Sequence, residues 1–144
     1  MIIVMEKYEP VLKEYKDWNL ILSAKQYPYV GRCKAWSKRR DANEVIEMTK
    51  GERDELFDQV LPEWSKAVKT LFNPYRLNLA VFGNTVPHLH VHLIPRYQDE
   101  KDFYGETFHD PNPTGNYAPY PKKDLDVSIL KQIELDFVST LKTS

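Results

Sequence analysis

The run His88–Arg96 places three of the four histidines in this chain in strict alternation with apolar residues. Successive side chains of a β-strand point to opposite faces of the sheet. The spacing therefore predicts a strand that carries His88, His90 and His92 on one face and apolar residues on the other. Near pH 7 an imidazole can act as a nucleophile, exchange a proton or bind a metal. The histidine face is therefore a candidate reactive surface.

Length and composition limit the class of protein. A chain of 144 residues is expected to form one domain over 1–144 with its own core, and its net charge of −1 argues against a nucleic-acid partner. The single cysteine, Cys33, excludes an intrachain disulfide and a multi-cysteine metal site, and fits the reducing cytoplasm. The apolar start, Met1–Met5, is too short for a signal peptide or a membrane span. These features predict a cytoplasmic protein with no membrane partner.

The rest of the pattern predicts an α+β fold. Short turns between strands indicate an antiparallel sheet, and helices lie outside the strand runs. Thr49 and Glu52 fit a capping box, Pro62 predicts a kink or a break, and Asp126 is a plausible N-cap. The predicted elements are a helix over 11–18, strands over 18–23 and 30–37, a helix over 50–71, a hairpin of 76–82 with 88–95, a long loop over 98–123 and a helix over 127–141.

The strand predicted over 30–37 has two unlike faces. Small residues on one face allow a helix to pack closely, and they are Gly31, Cys33, Ala35 and Ser37. The opposite face carries Arg32, Lys34 and Trp36, which are two cations and an aromatic ring. A cleft for an anionic substrate is expected on that second face. A surface role in solvent or in salt bridges is an equal alternative for Arg32, Lys34 and Arg40.

The motif His88-Leu89-His90-Val91-His92-Leu93-Ile94 closely resembles that of the histidine triad (HIT) superfamily. The stretch Asn78–Tyr97 looks like the active-site hairpin of HIT hydrolases near the dinucleoside polyphosphate hydrolases. Two further segments are similar to one branch of these proteins, Gly31-Arg32-Cys33 with Lys38-Arg39 and Asn116–Tyr120 with Lys122-Lys123. The resemblance is strongest over 76–97 and extends more weakly over about 18–125.

This resemblance implies a fold and an activity. The fold is a HIT-like antiparallel sheet of about five strands with a main helix on one face and a C-terminal helix, doubled by dimerisation into one continuous sheet. The activity is hydrolysis or transfer at the α-phosphate of a nucleotide. The middle histidine, His90, would attack the phosphorus and form a nucleotidyl-histidine, while His88 and His92 would orient and stabilise. Arg32 and Arg40 stand where relatives often have histidine, which leaves leaving-group and base preference open.

Phosphate chemistry also suggests which residues hold the substrate. Asn84 and Thr85, in the predicted turn, can hold phosphate oxygens through side chains and backbone N–H groups. Asn78 can bind ribose or phosphate, and Arg32 and Arg96 are candidate cations. A dinucleoside polyphosphate is the favoured substrate. The triad chemistry requires no cofactor, although a divalent cation can accompany the substrate phosphates.

Three alternatives remain open on the residues alone. Histidines two apart on a strand can bind zinc, and three with a water would make an open metal site. The chain could bind nucleotides without turning them over. As an enzyme, it could instead hydrolyse nucleoside phosphoramidates or adenylylated conjugates.

Overall fold

A computed structural model describes residues 7–142, so the apolar start at Met1–Met5 lies outside the described residues. Five strands form an antiparallel sheet in the order β1-β2-β3-β5-β4. Their bounds are β1 Val11–Glu14, β2 Trp18–Leu22, β3 Cys33–Ser37, β4 Arg76–Ala80 and β5 His90–Arg96. A separate hairpin pairs β6 Lys101–Phe103 with β7 Glu106–Phe108. The predicted hairpin of the histidine run is present as β4 and β5.

The register of β3 on β5 assembles the predicted reactive face. Trp36 lies opposite His90 and Lys34 lies opposite His92. Because side chains alternate along both strands, the four side chains lie on the same face of the sheet. The other face of β5 is apolar and buried, as the alternation predicts.

The main helical segment runs from Lys50 to Phe72. It consists of α1 Lys50–Glu55, a π-helical turn over Leu56–Val60 and α2 Leu61–Phe72. Thr49 caps α1, with the predicted capping box to Glu52. Pro62 lies in the first turn of α2. Proline has no backbone N–H to donate inside an α-helix, and its ring clashes with the preceding turn. The π-helical turn just before Pro62 changes the pattern of backbone hydrogen bonds at this point.

The C-terminal helix, α3 Val127–Leu141, begins at the predicted N-cap, where the Asp126 side chain accepts from the backbone N–H of Ser128 at 2.8 Å. It packs against α2 and β1. No helix within residues 7–142 is long and apolar enough to cross a membrane.

The small-residue face of β3 lies under α2, as predicted. Cys33 and Ala35 are fully buried in one core cluster with α2 residues. Burial also raises the pKa of the Cys33 thiol, which therefore stays protonated near pH 7. With the helices on this face, the histidine face of the sheet is left for a ligand.

Three predicted elements differ in the structure. The segment 11–18 is not a helix, because Val11–Glu14 pairs with β2 across the turn closed by Tyr15 N–H and the carbonyl of Trp18. A register irregularity between Val11 and Lys13 shifts the buried positions and imitates helical spacing. The predicted loop over 98–123 contains the β6–β7 hairpin.

The third difference concerns the triad itself. Strand β5 begins at His90, so His88 lies in a bend before the strand rather than within it. The α+β prediction of a five-stranded antiparallel sheet with a main helix and a C-terminal helix is confirmed.

Candidate active site

A cavity of about 460 Å³ opens on the histidine face of the sheet. Its floor comes from strands β3 and β5 and includes Trp36, His90 and His92. The turn over 82–86 forms part of its wall. Of the three histidines that alternation predicted on one strand face, His90 and His92 therefore line the cavity and His88 does not.

His90 is held by the backbone of its own segment. Its Nδ1 lies 2.6 Å from the carbonyl oxygen of His88. A carbonyl oxygen can only accept, so Nδ1 carries the proton and Nε2 keeps its lone pair. No hydrogen bond engages Nε2 among the described residues, and the His90 ring lines the cavity. The nitrogen that is free to attack a ligand is therefore Nε2.

His88 is fixed in the opposite tautomer. Its Nε2 donates to the carbonyl oxygen of Ser37, at the end of β3, over 2.7 Å. This bond ties the bend before β5 to the neighbouring strand. Because the His88 carbonyl orients His90, the same bond also steadies the acceptor that sets the His90 tautomer.

His92 is held neutral by its surroundings. The pKa of His92 is lowered to about 4, first because burial disfavours the cation and then because of the positive charge of Arg32. Its Nδ1 is buried with no hydrogen-bond partner among the described residues. His92 therefore enters the site as a neutral imidazole beside His90, with the two ring centres 4.9 Å apart.

Trp36 packs against two of the histidines, a contact that sequence reasoning missed. Its ring stacks on His88 at 4.4 Å and on His90 at 5.1 Å between ring centres. The π face of an indole is attracted to a cation, so it would favour positive charge that develops on His90. The alternation of β3 put Trp36 on this face, but only the register with β5 brings the ring onto His90.

Charged groups surround the cavity beyond the histidines. Arg32 and Lys25 line it, and Lys34 does so while paired with Glu9 at 3.0 Å. Lys25 and Glu9 were missed by sequence reasoning because both lie outside the motif. Arg40 is exposed and does not line the cavity. The cavity carries more basic than acidic groups, which suits a phosphate ligand.

Asn84 and Thr85 lie where the sequence predicts. Both line the cavity from the turn between β4 and β5. Neither side chain has a hydrogen-bond partner among residues 7–142, so both are available to a ligand. Gly83 precedes them with a φ of +86°, a left-handed conformation that turns the chain into this loop.

Arg96 and Asn78 are placed differently from the prediction. Arg96 is 1% exposed and forms an ion pair with Asp110, whose Oδ2 lies 2.8 Å from its Nε. The side-chain oxygen of Asn78 accepts a hydrogen bond from the same guanidinium at 2.9 Å. Neither residue lines the cavity. Arg96 ties β5 to the segment after β7, and all of its donors are used in doing so.

The arrangement does not resemble a metal centre. Within the described part of the chain, no group of three or more His, Cys, Asp or Glu side chains is placed to hold a metal ion. His88 Nε2 and His90 Nδ1 both donate to carbonyl oxygens, so the lone pairs that remain for a ligand on these two rings are on His88 Nδ1 and His90 Nε2.

The aromatic residues of the segment 117–120 pack beside the cavity, against Arg32, which lines it. Tyr29 donates to the carbonyl oxygen of Tyr117 at 2.5 Å, and Tyr120 contacts Arg32. The fourth histidine, His109, is exposed in a loop, and its Nδ1 lies 3.7 Å from Glu100 Oε1. It takes no part in this cavity.

Comparison with known proteins agrees with this geometry. The family model of the HIT domain matches residues 37–99, which include the whole histidine run. No curated protein was found to match the chain.

Several solved structures share the fold. A histidine triad protein from Sinorhizobium meliloti superposes with a TM-score of 0.73 at 17% identity, covering 92% of this chain and 89% of that one. A hypothetical histidine triad nucleotide-binding protein from Sulfolobus tokodaii gives 0.68 at 19% identity, with 96% and 86% covered. A zinc-bound histidine triad family protein from Mycobacterium smegmatis gives 0.63 at 14% identity, with 93% and 86% covered.

At these identities the solved structures show the fold, and the domain match adds the sequence of the histidine hairpin. The chain therefore contains a segment, 37–99, that matches the HIT domain model, and it shares its fold with solved histidine triad proteins.

Proposed function

We propose that this protein is a HIT-type nucleotide hydrolase or transferase that works through a covalent nucleotidyl-histidine on His90. The observation that carries the proposal is the 2.6 Å contact between His90 Nδ1 and the His88 carbonyl oxygen. It leaves the Nε2 lone pair free towards a basic cavity. A neutral imidazole held in one tautomer can attack phosphorus without first losing a proton.

The proposed reaction has two displacements. First, His90 Nε2 forms a bond to the α-phosphorus while the bond to the leaving-group oxygen or nitrogen breaks and its electron pair departs. The His90 ring then carries a positive charge, which the His88 carbonyl and the stacked Trp36 ring stabilise. Second, water displaces Nε2 and loses a proton to solvent, and His90 returns to its neutral form. Covalent catalysis replaces one difficult displacement at phosphorus by two easier ones.

The surrounding residues would stabilise the phosphate. Asn84 and Thr85 would donate to non-bridging oxygens from the turn, and Arg32 would compensate the negative charge of the substrate phosphates. His92, neutral next to His90, would donate to a phosphate oxygen. The proposal needs no metal in the triad chemistry and is compatible with a divalent cation on the substrate phosphates.

A dinucleoside polyphosphate is the proposed substrate, with nucleoside phosphoramidates and adenylyl conjugates as alternatives. The basic lining of the cavity favours a substrate that carries several phosphates. The test is to incubate the protein with a panel of adenylyl and guanylyl compounds and look for an acid-labile nucleotidyl-protein adduct by mass spectrometry. Absence of both adduct and product across the panel would count against the enzyme and favour a nucleotide-binding module.

The decisive variant is His90→Ala. We expect turnover to fall by about a thousandfold or more because the nucleophile is gone, while nucleotide binding by calorimetry and the thermal unfolding midpoint stay near those of the parent. The matched control is His109→Ala, which removes an exposed histidine outside the cavity. If His90→Ala hydrolyses a dinucleoside polyphosphate at the parent rate, His90 is not the nucleophile.

A zinc enzyme is the chemical rival, since one structural neighbour is described as zinc-bound. Elemental analysis of the purified protein, with activity measured before and after a chelator, separates the two. We expect activity to survive the chelator. Stoichiometric zinc whose removal abolishes turnover would overturn the metal-free mechanism.

A further inference from the structure

The protein has two deeply buried arginines, and their surroundings differ. Arg96, 1% exposed, uses all five of its N–H donors. Its acceptors are the Asp110 carboxylate twice, the Asn78 side chain and the carbonyls of Asn112 and Gly115. Arg32 is 4% exposed but makes one side-chain hydrogen bond, from Nη1 to the hydroxyl of Tyr120 at 3.1 Å.

The guanidinium of Arg32 is therefore left unsatisfied. Its Nε is fully buried and has no hydrogen-bond partner in the part of the chain that the structure describes. No carboxylate among residues 7–142 forms an ion pair with it. A buried charge with no counter-charge is costly, and natural proteins pair such groups or use them to bind ligands. Because Arg32 lines the cavity, an anion in the cavity can supply the missing acceptors.

A clamp of three tyrosines holds Arg32 in place. The guanidinium carbon lies 5.6 Å from the ring centre of Tyr117 and 5.5 Å from that of Tyr120. Tyr29 anchors this segment through the carbonyl of Tyr117 and packs edge-on against both rings. A guanidinium fixed by aromatic faces is preorganised for an anion and loses little entropy on binding.

Basic side chains continue outward from Arg32. Lys25 lines the main cavity and also a neighbouring groove, whose lining includes Tyr120, Lys122 and one carboxylate, Asp124. In the described part of the chain, Lys25 and Lys122 have no carboxylate partner, whereas Lys123 in the same groove is paired with Glu106 at 2.8 Å. The two free lysines and Arg32 thus form a basic track that leads away from His90.

The direction of this track follows from the sheet register. Trp36 is opposite His90 and Lys34 is opposite His92. Arg32 is two residues before Lys34, just ahead of β3, and lines the same cavity. Arg32 therefore lies beyond His92, on the side away from His88. A phosphate chain whose α-phosphorus is at His90 would reach Arg32 with its next phosphates.

We propose that Arg32, Lys25 and Lys122 form an anion-binding track for phosphates beyond the α-phosphate, so that the protein selects nucleotides whose leaving group is itself a phosphate chain. The inference rests on the proposed function, because it takes the α-phosphate to be at His90. It adds the residues that would hold the leaving group and the reason for the preference: phosphoric anhydrides are preferred over substrates with an uncharged leaving group because only the former place charge on the track.

The test compares substrates that differ only in the leaving group. Adenosine 5′-phosphoramidate releases ammonia, whereas diadenosine triphosphate and tetraphosphate release ADP and ATP. We expect the parent to show a kcat/KM ratio of anhydride to phosphoramidate well above ten. Arg32→Gln should lower this ratio about a hundredfold and Lys122→Ala about fivefold, as expected for lost charge-assisted contacts. Lys16→Ala, an exposed lysine outside the cavity, should keep the parent ratio.

Two results would overturn the track. One is a parent ratio near or below one. The other is an equal loss of kcat/KM for both substrates in Arg32→Gln and an unchanged ratio in Lys122→Ala, which would assign Arg32 to the α-phosphate. Lys122 is exposed, so its variant tests the track even if Arg32→Gln unfolds.

A binding measurement separates this inference from the catalytic proposal. Inorganic tripolyphosphate is titrated calorimetrically into the parent, His90→Ala, Lys122→Ala and Lys16→Ala. We expect binding in the parent, in His90→Ala and in Lys16→Ala, and weaker binding by about fivefold in Lys122→Ala. If no adduct forms at His90 but this order holds, the track stands and the catalytic proposal fails. If the adduct forms but tripolyphosphate binds equally to all four proteins, the track fails alone.

Discussion

The three histidines of the motif are equivalent in spacing but not in environment. A carbonyl holds Nδ1 of His90, a second carbonyl holds Nε2 of His88, and neither ring nitrogen of His92 has a hydrogen-bond partner in the described chain. Opposite tautomers are thus imposed on His88 and His90. The unequal roles proposed for the three rings follow from these contacts rather than from the spacing.

The lowered pKa of His92 makes a prediction about stability. The pKa is about 4 in the folded protein against an ordinary 6.5. Between these two pH values the unfolded chain binds a proton at His92 more readily than the folded protein does. The free energy of unfolding therefore rises with pH across this window, and the stability gained is lost again as pH falls. Allowing for solvent screening, we expect His92 to account for about 1 to 2 kcal/mol of this change.

Urea unfolding of the parent and of His92→Asn at several pH values between 4 and 7.5 measures this contribution. The variant lacks the titrating ring, so its unfolding free energy should change less with pH. The exposed His109, replaced in the same way, is the control and should leave the profile as in the parent. An identical profile for parent and His92→Asn would contradict the lowered pKa.

The partners of Arg32 and Arg96 could not be predicted from the sequence. In the sequence both are cations next to apolar strand residues, and both are reasonable phosphate ligands. The Arg96 guanidinium donates to the carboxylate of Asp110, 14 residues along the chain. Within residues 7–142, the side-chain hydrogen bond and the ring contacts of Arg32 are to tyrosines. Which cation is left for a ligand depends on where the segment after β7 folds back, and no local pattern encodes that.

At the scale of elements, Gly31 sets how closely β3 approaches α2. Its φ is +96°, and a Cβ added there would lie 2.6 Å from Val68 Cγ2 and 2.9 Å from Phe72 Cδ2. Gly31→Ala therefore combines backbone strain with a steric clash in the core, and we expect about 3 kcal/mol of destabilisation.

Chemical denaturation of Gly31→Ala and Gly105→Ala separates these two terms. Gly105 also has a positive φ, of +78°, but nothing lies within 4 Å of its added Cβ. The control should therefore lose only about 1 kcal/mol, the cost of the left-handed conformation. Equal losses in the two variants would mean that the helix contact adds nothing.

The Arg96–Asp110 pair joins β5 to the segment that follows β7. Replacing Arg96 by Met should cost about 3 to 5 kcal/mol, because it leaves the buried Asp110 carboxylate without its counter-charge. Lys50→Met breaks an exposed pair with Asp54 and should cost less than about 1 kcal/mol. Thermal or urea unfolding of both variants checks the contrast, and a loss below 1 kcal/mol for Arg96→Met would contradict a structural role.

Element types were predictable where a periodic run was long or capped. The capping box at Thr49, the N-cap at Asp126 and the alternation around His90 each depend on neighbours in sequence, so local residues suffice to predict them. The segment 11–18 failed because an irregular strand, a turn and a second strand produced helical spacing by chance. Only pairing with β2 distinguishes the two structures.

At the scale of the whole molecule, the sheet has an open edge. Strand β4 is the last strand in the order, and the apolar side chains at and after its end are exposed, 48% for Leu79 and 59% for Phe82. An unpaired apolar strand edge invites a second strand. We propose that the chain, as one domain over 1–144, forms a homodimer that continues the sheet through β4.

Sedimentation velocity over a range of concentrations tests this proposal. We expect a dimer in the parent and a shift to monomer in Leu79→Lys, because a charge at the joined edge repels its copy and cannot be buried. Leu135→Lys changes an exposed leucine on α3 and should stay dimeric. A parent that sediments as a monomer throughout, or dissociation by Leu135→Lys alone, would contradict a β4 interface.

The sequence by itself determined the strand that carries His90 and His92, the side of that strand on which they lie, the helix caps and the α+β class, because each depends on residues that are close along the chain. Only the tertiary structure decided that Trp36 stacks on His90, that Ser37 fixes His88, that Arg96 pairs with Asp110 and that Arg32 has no carboxylate partner within residues 7–142. The physical reason is that a buried polar group must satisfy its hydrogen bonds with whatever the folded chain brings near it. Those partners lie on other strands and loops, and their positions follow from the register and packing of the complete sheet.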